Sequence, residues 1–563
     1  MFTLYTNLLL ALGGVLAAAA QRLCESSSFS PVAIDDVRFL SITAEPQHNY
    51  STSDGGPTLP AVTSLSFCDV TIHITHMNGN DNVSVRIWLP PTFDEWNGRF
   101  QATGGGGFLV GGYEWDIAAA LKDGFAAATT DGGHQGDFVD LSWVLKDDKL
   151  INWPLLQNHA TRSLAELVII GKHITESFYE KPAHHSYFRG CSQGGRQGYM
   201  LAQQYPHLLD GILANAPAIS MTHLALGSHW PQLVMQQSNT LLSGCEFDYF
   251  SKKIFEECDI LDGANDGVIV DPEACLFQPS RLVGDKTKCD DKEVEITQEM
   301  ADVVRKIQEG PRSPFGAPLW HGLAYGTDTN WLANVIVNPD GSRSANPISD
   351  PMIKYLVLKD PAFNVSTITY SDYVALWAQA SYEYSWLQDA DDVNLSSLQK
   401  EGTKLLSWHG ISDAIIPYQN TVTYRKRVEQ VMGSSAGKVD DFYRFFLAPG
   451  VDHCGFGRGA SPKNAMGQLV AWVEDNDPPE TLEAETTNEH GEVITRELCL
   501  WPKKMKYMGV GDANRASSWT CDGGDDVLDS GESKGEGESF QNHILNGLKQ
   551  KFLGLGLPGL RIG

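Results

Sequence analysis

Positive charge is scarce in this 563-residue chain: Lys and Arg number 42 against 70 Asp and Glu, for a net charge of −28. A chain this acidic repels phosphate backbones, so nucleic acid is not an expected partner. After the first twenty residues there is no uninterrupted apolar run approaching about 18 residues, so no membrane span is expected. No two cysteines stand in CxxC spacing, which argues against a zinc ribbon. Apolar residues make up 42% and charged residues 20%, with 14 Trp, 18 Tyr and 23 Phe, which excludes a disordered, collagenous or coiled-coil chain. The length exceeds what one compact core usually holds, so a large domain with an insertion or a second domain is expected.

What is present begins with an address. Leu8 to Leu12 and Val15 to Ala20 form an apolar run that ends in small residues, although no Lys or Arg precedes it. This reads as a secretory signal peptide over residues 1–20, cut near Ala20 and Gln21, and predicts a secreted, extracellular protein. Sequons at Asn49, Asn82, Asn364 and Asn394 offer glycan acceptors. The ten cysteines, even in number, would form five bridges in an oxidising compartment.

Periodicity then suggests an alternating order of strands and helices. Asn97 to Ala102 reads as a strand entering the tight loop Gly104 to Gly107. Leu164, Leu167, Val168, Gly171, Ile174 and Phe178 share one helical face. Ser186 to Phe188, Ile212 to Ala216, Lys404 to Trp408 and Tyr443 to Leu447 read as short buried strands. A helix through Tyr199, Met200 and Ala202 ends near Pro206. The order predicts an α/β fold with a mostly parallel sheet covered on both faces. From about residue 222 to residue 390 the alternation fails, which reads as a lid or cap inserted between sheet elements. The acidic Gly/Ser-rich stretch Gly523 to Ser539 reads as a solvated extension.

The chemistry centres on Gly190-Cys191-Ser192-Gln193-Gly194, a G-x-S-x-G pentapeptide after a strand and before a helix. A strained strand-to-helix turn exposes the serine oxygen, but alone the pentapeptide fits an ordinary glycine turn equally well. A serine hydroxyl needs a base to take its proton and an acid to orient that base. Asp413 follows one short strand and His453 another, giving the chain order Ser, Asp, His. His409 is a rival base, but it lies too close to Asp413 in sequence to face the turn and reads as structural. Asp452 is a rival acid that adjacency to His453 directs away from the ring's far nitrogen. If Ser192 and His453 meet, their neighbours Cys191 and Cys454 come within the Cα separation that a disulfide allows. The glycine loop lacks the Lys-Ser or Lys-Thr of a phosphate-binding turn.

Together, Gly190-Cys191-Ser192, Gly410-Ile411-Ser412-Asp413 and His453-Cys454 resemble the Cys-Ser, Asp, His-Cys pattern of the tannase and feruloyl esterase family. The resemblance runs from about residue 24 to residue 521 and includes Gly104 to Phe108, Ile151-Asn152-Trp153, Cys258 to Asp271 and Leu500 to Lys503. It implies an α/β-hydrolase core (21–221 and 391–521) with an inserted lid (222–390) and a C-terminal extension (522–563). It implies Ser192 as nucleophile, His453 as base and acid, Asp413 as the orienting carboxylate, and a Cys191–Cys454 pair. The oxyanion donors would be the N–H of Gln193 and the loop at Gly105 and Gly106.

The segment Cys258 to Val268 places three carboxylates within eight residues. By composition it is either a hard-cation loop or a solvated Asp/Gly turn. The family resemblance implies calcium held by Asp259, Asp262 and Asp266 and by the carbonyls of Ala264 and Val268; a Cys258–Cys275 bridge would pin the loop, and the metal reads as structural because nothing in the sequence couples it to Ser192. Further pairings expected by neighbourhood and exclusion are Cys24–Cys68, Cys499–Cys521 and Cys245–Cys289. No organic cofactor is expected. Trp320, Tyr325 and Trp331 could face a phenolic ring or equally form the lid interior. The expected substrate is a small-molecule or polysaccharide-linked phenolic ester. Hydroxycinnamate esters come first, galloyl esters second, and a non-catalytic binding module is the contrasting class.

Overall fold

A computed structural model of the protein describes residues 22–523 apart from 78, 290, 338–342, 346–348 and 434–438. The expected signal peptide and nearly all of the C-terminal extension lie outside the described residues.

The core is a nine-stranded mixed sheet. Its strands are β1 (Val37–Tyr50), β2 (Leu65–His76), β3 (Val83–Leu89), β4 (Arg99–Thr103), β5 (Ala126–Thr130), β6 (His185–Cys191), β7 (Gly211–Asn215), β8 (Lys404–Gly410) and β9 (Tyr443–Ala448). In space they run β1-β2-β3-β5-β4-β6-β7-β8-β9. The pairs β1/β2, β2/β3 and β3/β5 are antiparallel, and the rest are parallel. Strands β5 and β7 are buried at every position, as expected of strands covered on both faces. Strand β1 is different. Its half-exposed pattern and two irregularities mark it as a twisted edge.

Among the described residues the helices of seven residues or more are α1 (Glu114–Lys122), α2 (Ser163–Tyr179), α3 (Gln193–Gln204), α4 (Met221–Gly227), α5 (Trp230–Gln237), α6 (Gly244–Cys258), α7 (Gln298–Glu309), α8 (Tyr370–Gln388), α9 (Tyr418–Met432) and α10 (Ala465–Glu474). The apolar face read for α2 is buried throughout, and the helix stops where Glu180 turns left-handed. Gly171 has a packing reason: a Cβ there would stand 2.4 Å from the Phe100 ring of β4.

Helices α4 to α8 all fall between β7 and β8, in the stretch where the alternation of the sequence fails. They pack into two hydrophobic clusters, one around Tyr373, Trp377 and Leu226 that is shared with Leu141, Val144 and Leu156 of the core, the other around Phe250, Val304 and Ile307 within the inserted stretch. Five disulfides join Cys24–Cys68, Cys191–Cys454, Cys245–Cys289, Cys258–Cys275 and Cys499–Cys521.

Candidate active site

Ser192 stands between the last residue of β6 and the first of α3, at φ 63° and ψ −120°. A β-carbon-bearing residue is strained there, and the strain persists only because the surroundings hold it. The Ser192 amide donates to Asn215 O of β7 (3.0 Å), and its carbonyl accepts from the N–H of Arg196 and of Ala218. The flanking glycines are steric necessities. A Cβ on Gly190 would lie 2.4 Å from Gly194 O, and one on Gly104 would lie 2.6 Å from the Gly194 Cα. The turn therefore lets the loop after β4 lie directly against the start of α3.

That loop presents unequal donors. The Gly105 amide donates to Gln197 Oε1 at 3.0 Å, and the Gly105 carbonyl accepts from Gly194 N at 2.8 Å. The Gly105 N–H is thereby spent, which corrects its expected role as an oxyanion donor. Among the described residues neither Gly106 N–H nor Gln193 N–H has a backbone acceptor. These two amides are the ones available beside Ser192.

Asp413 and His453 come from the turns after β8 and β9. His453 Nδ1 lies 2.8 Å from Asp413 Oδ2, and Asp413 Oδ1 accepts from the amides of Ile415 (2.9 Å) and Ile416 (2.8 Å). Burial works against the Asp413 charge, but the His453 and His409 rings outweigh it and hold the carboxyl well below the usual carboxylate range. Burial likewise works against a charged His453, and the charge and hydrogen bond of Asp413 outweigh it, so the ring's pKa is raised. Neutral His453 is the form that can take a proton. The acid limb of kcat/KM is therefore expected above the ordinary imidazole value of about 6.5, falling about tenfold per pH unit below its midpoint. A pH profile of kcat/KM checks this; Asp413→Asn is expected to move the limb down, since it removes the carboxylate that raises the ring.

The Cys191–Cys454 bridge, with Cα atoms 5.9 Å apart, ties the residue before Ser192 to the residue after His453. Both Ser192 and His453 line one cavity of about 370 Å³. Among the described residues the Ser192 hydroxyl makes no hydrogen bond. Catalytic hydrogen bonds often tighten only when substrate is bound.

Two residues weighed as rivals from the sequence stand as supports. His409 is fully buried and bridges Thr421 Oγ1 (2.9 Å) and Asp413 Oδ2 (3.2 Å). Asp452 accepts from the amides of Ala414 (2.8 Å) and His453 (2.7 Å), clamping one loop to the other. Nearness in sequence to Asp413 and His453 marks both residues, while what each holds in place is set by the fold.

None of Trp320, Tyr325 and Trp331 lines the cavity that Ser192 lines, which corrects their expected place around the substrate. Trp320 is buried against α4, where a Cβ on Gly227 would meet its ring at 2.3 Å. Tyr325 donates to Phe277 O at 2.9 Å. Trp331 sits half-exposed beside Leu332, which does reach the cavity. The apolar lining instead includes Leu224, Ala225, Leu332 and Met352 on the inserted stretch, with Met221 just before it and Ile415 after it.

The Asp259 loop carries one unpartnered carboxylate oxygen, but among the described residues its three carboxylates do not close to within 4.8 Å of one another as side-chain atoms of His184, His185 and Glu474 do. Asp262 Oδ2 is buried without a hydrogen-bond partner, and burial together with the charges of Asp266 and Asp259 pushes the carboxyl up to about 7. Asp259 accepts from the amides of Gly267 and Val268, while Asp266 meets Arg496 Nη2 at 2.7 Å. The like charges of Asp266 and Asp259 act on Asp262 against the single guanidinium of Arg496. The loop packs beside the turn that carries His453. Val268 packs on Gly450, three residues before His453, where a Cβ would lie 2.8 Å from Val268 Cγ2. Ala264 and Val270 share a core cluster with Val451.

A family model described as tannase and feruloyl esterase matches residues 68–522. A probable feruloyl esterase from Arthroderma benhamiae is 43% identical over 466 residues, covering 82% of this chain and 86% of its own. Feruloyl esterase B from Aspergillus niger is 30% identical over 479 residues, covering 81% and 87%. Among solved structures, tannin acyl hydrolase from Aspergillus niger superposes with a TM-score of 0.82 at 23% identity, covering 90% of this chain and 96% of its own. Feruloyl esterase B from Aspergillus oryzae superposes with a TM-score of 0.72 at 27% identity, covering 87% and 98%.

Proposed function

The chain belongs to the tannase and feruloyl esterase family and is a carboxylic ester hydrolase; from that premise we propose that it is a secreted serine esterase cleaving hydroxycinnamate esters through Ser192, His453 and Asp413. The observation that carries the reading is the juxtaposition within one cavity. Ser192 and the Asp413-bonded His453 line it together, tethered by the Cys191–Cys454 bond.

Ser192 Oγ attacks the ester carbonyl as His453 takes its proton. The carbonyl oxygen becomes an oxyanion received by the amides of Gln193 and Gly106. His453 returns the proton to the departing alcohol. Water, deprotonated by the same ring, then attacks the acyl-serine, releasing the phenolic acid and restoring the hydroxyl. Asp413 stays ionised throughout and stabilises the imidazolium.

Residues 222–390 serve as the lid, supplying the apolar wall against which the aromatic acid lies. Export is supported by the N-terminal apolar run, the five disulfides and the exposed Asn49, Asn82, Asn364 and Asn394 of the sequons. A calcium ion would be held by Asp259, Asp262, Asp266 and the carbonyls of Ala264 and Val268, supplying the positive charge that lets three crowded carboxylates remain ionised. By packing against Gly450 and Val451, this loop then braces the turn that carries His453. Chelation is expected to lower the thermal midpoint by roughly 5–10 °C, with recovery on adding calcium. An unchanged midpoint in chelator would reject the ion.

Similarity to relatives named feruloyl esterases over four-fifths of the chain favours hydroxycinnamoyl over galloyl esters. Purified protein offered methyl ferulate, methyl caffeate, methyl gallate and tannic acid is expected to prefer the first two by about tenfold or more in kcat/KM. The opposite order identifies a tannase. No turnover of any of the four would leave a binding module.

A further inference from the structure

The cavity is chemically mixed. Its lining includes Met221, Leu224 and Met352, which suit an aromatic ring, and from the core also Tyr113, Trp115, Asp116 and Arg189. Asp116, from the first turn of α1, accepts no hydrogen bond among the described residues. Burial pushes its carboxyl up to about 6 against the pull of the nearby Arg189 guanidinium. Arg189 has spent one donor, Nη2 to Thr58 O at 3.2 Å. The Tyr113 hydroxyl makes only a long contact with Gly106 O, 3.4 Å, and its ring stacks on Trp115 with centroids 4.6 Å apart. Gly55 seats that indole: a Cβ there would stand 2.3 Å from Trp115 Cδ1.

Unspent acceptors on a carboxylate, unspent donors on a guanidinium and a phenol, and the stacked Tyr113–Trp115 pair thus line one cavity. A cation would be repelled by Arg189, and a second carboxylate by Asp116. A molecule that donates and accepts through several hydroxyls, and offers C–H faces to an aromatic ring, satisfies every group at once. We propose that Tyr113, Trp115, Asp116 and Arg189 form a polyol subsite that binds the sugar-like alcohol half of the ester. The inference rests on the esterase reading. An ester whose aromatic acid lies on the apolar lining leaves its alcohol to the polar groups. An ordered leaving group also holds the scissile carbonyl in place over Ser192, so the subsite contributes to turnover as well as to affinity.

The test compares feruloyl arabinose with methyl ferulate in the wild type and in Asp116→Asn and Tyr113→Phe. Losing a hydrogen bond to a charged group predicts that Asp116→Asn lowers the ratio of kcat/KM for the sugar ester over the methyl ester by about tenfold or more. Tyr113→Phe, which removes a single oxygen, is expected to lower it severalfold. A ratio within twofold of wild type in both variants overturns the subsite. So does a loss in Asp116→Asn that follows the ring hydroxyls instead, large on methyl caffeate and small on methyl cinnamate. Calorimetric binding of feruloyl arabinose to Ser192→Ala separates the two readings. Binding weakened about tenfold by adding Asp116→Asn upholds the subsite, whether or not the wild type turns the ester over. Absent turnover with intact, Asp116-dependent binding would count against the esterase alone.

Discussion

Replacing Ser192 by alanine is expected to lower kcat on methyl ferulate by about 10⁴- to 10⁶-fold while leaving the fold intact. The size follows from the chemistry. Without Oγ no acyl-serine can form, and hydrolysis must rely on water held by His453 and on the two amides that stabilise the oxyanion. The fold should survive because alanine carries the same Cβ that serine already places at φ 63°, so no new strain enters. The hydroxyl also makes no hydrogen bond among the described residues that its removal would break. Steady-state kinetics give the first quantity, and a thermal midpoint within about 2 °C of wild type gives the second. Activity within tenfold of wild type would reject Ser192 as the nucleophile and with it the acyl-serine route.

The Cys191→Ser, Cys454→Ser double variant is expected to lose about 10²-fold in kcat and to melt well below the wild type. The bridge closes a sequence separation of 263 residues. On the chain-entropy model that closure removes about 5–6 kcal/mol of denatured-state freedom, an upper figure because measured disulfides often contribute less. The kinetic loss has a separate origin. The bridge is the covalent link between the turn that carries the hydroxyl and the turn that carries the ring, and a misplacement of about 1 Å costs roughly 10²-fold. The loss should stop there. Asp452 still clamps the His453 turn to Ala414, and Val268 still packs on Gly450. Kinetics and thermal melts on the double variant, with each single variant alongside, measure both effects. Wild-type kcat in the double variant would show that these non-covalent contacts suffice.

Local chemistry made much of the molecule legible. The α2 face could be read because a 3.6-residue period survives in any helix that covers a sheet, and β6, β7, β8 and β9 because short apolar runs end in turn residues. Ser192, Asp413 and His453 could be picked out as candidates because each follows such a strand. The antiparallel start was not read. Strand β1 is half exposed, so no buried run marks it. The identity of the pocket wall was equally hidden. Trp320 looks like a ring for stacking, yet the absence of a side chain at Gly227 lets it sink into the interior, while the unremarkable Met221, Leu224 and Met352 reach the cavity.

By itself the order of residues determined the alternating α/β plan, the strained turn at Ser192 and the supply of cysteines and carboxylates, because these depend on neighbours within a few positions. Tertiary structure decided which donors remain free and which loops touch. Gln197 takes the Gly105 amide from 92 positions away, and Val268 meets Gly450 across the insertion. Asp116 and Arg189 reach one cavity from different elements of the core. A hydrogen bond or a packed contact is set by distance in space, and residues far apart in the chain acquire that distance only once the sheet has formed.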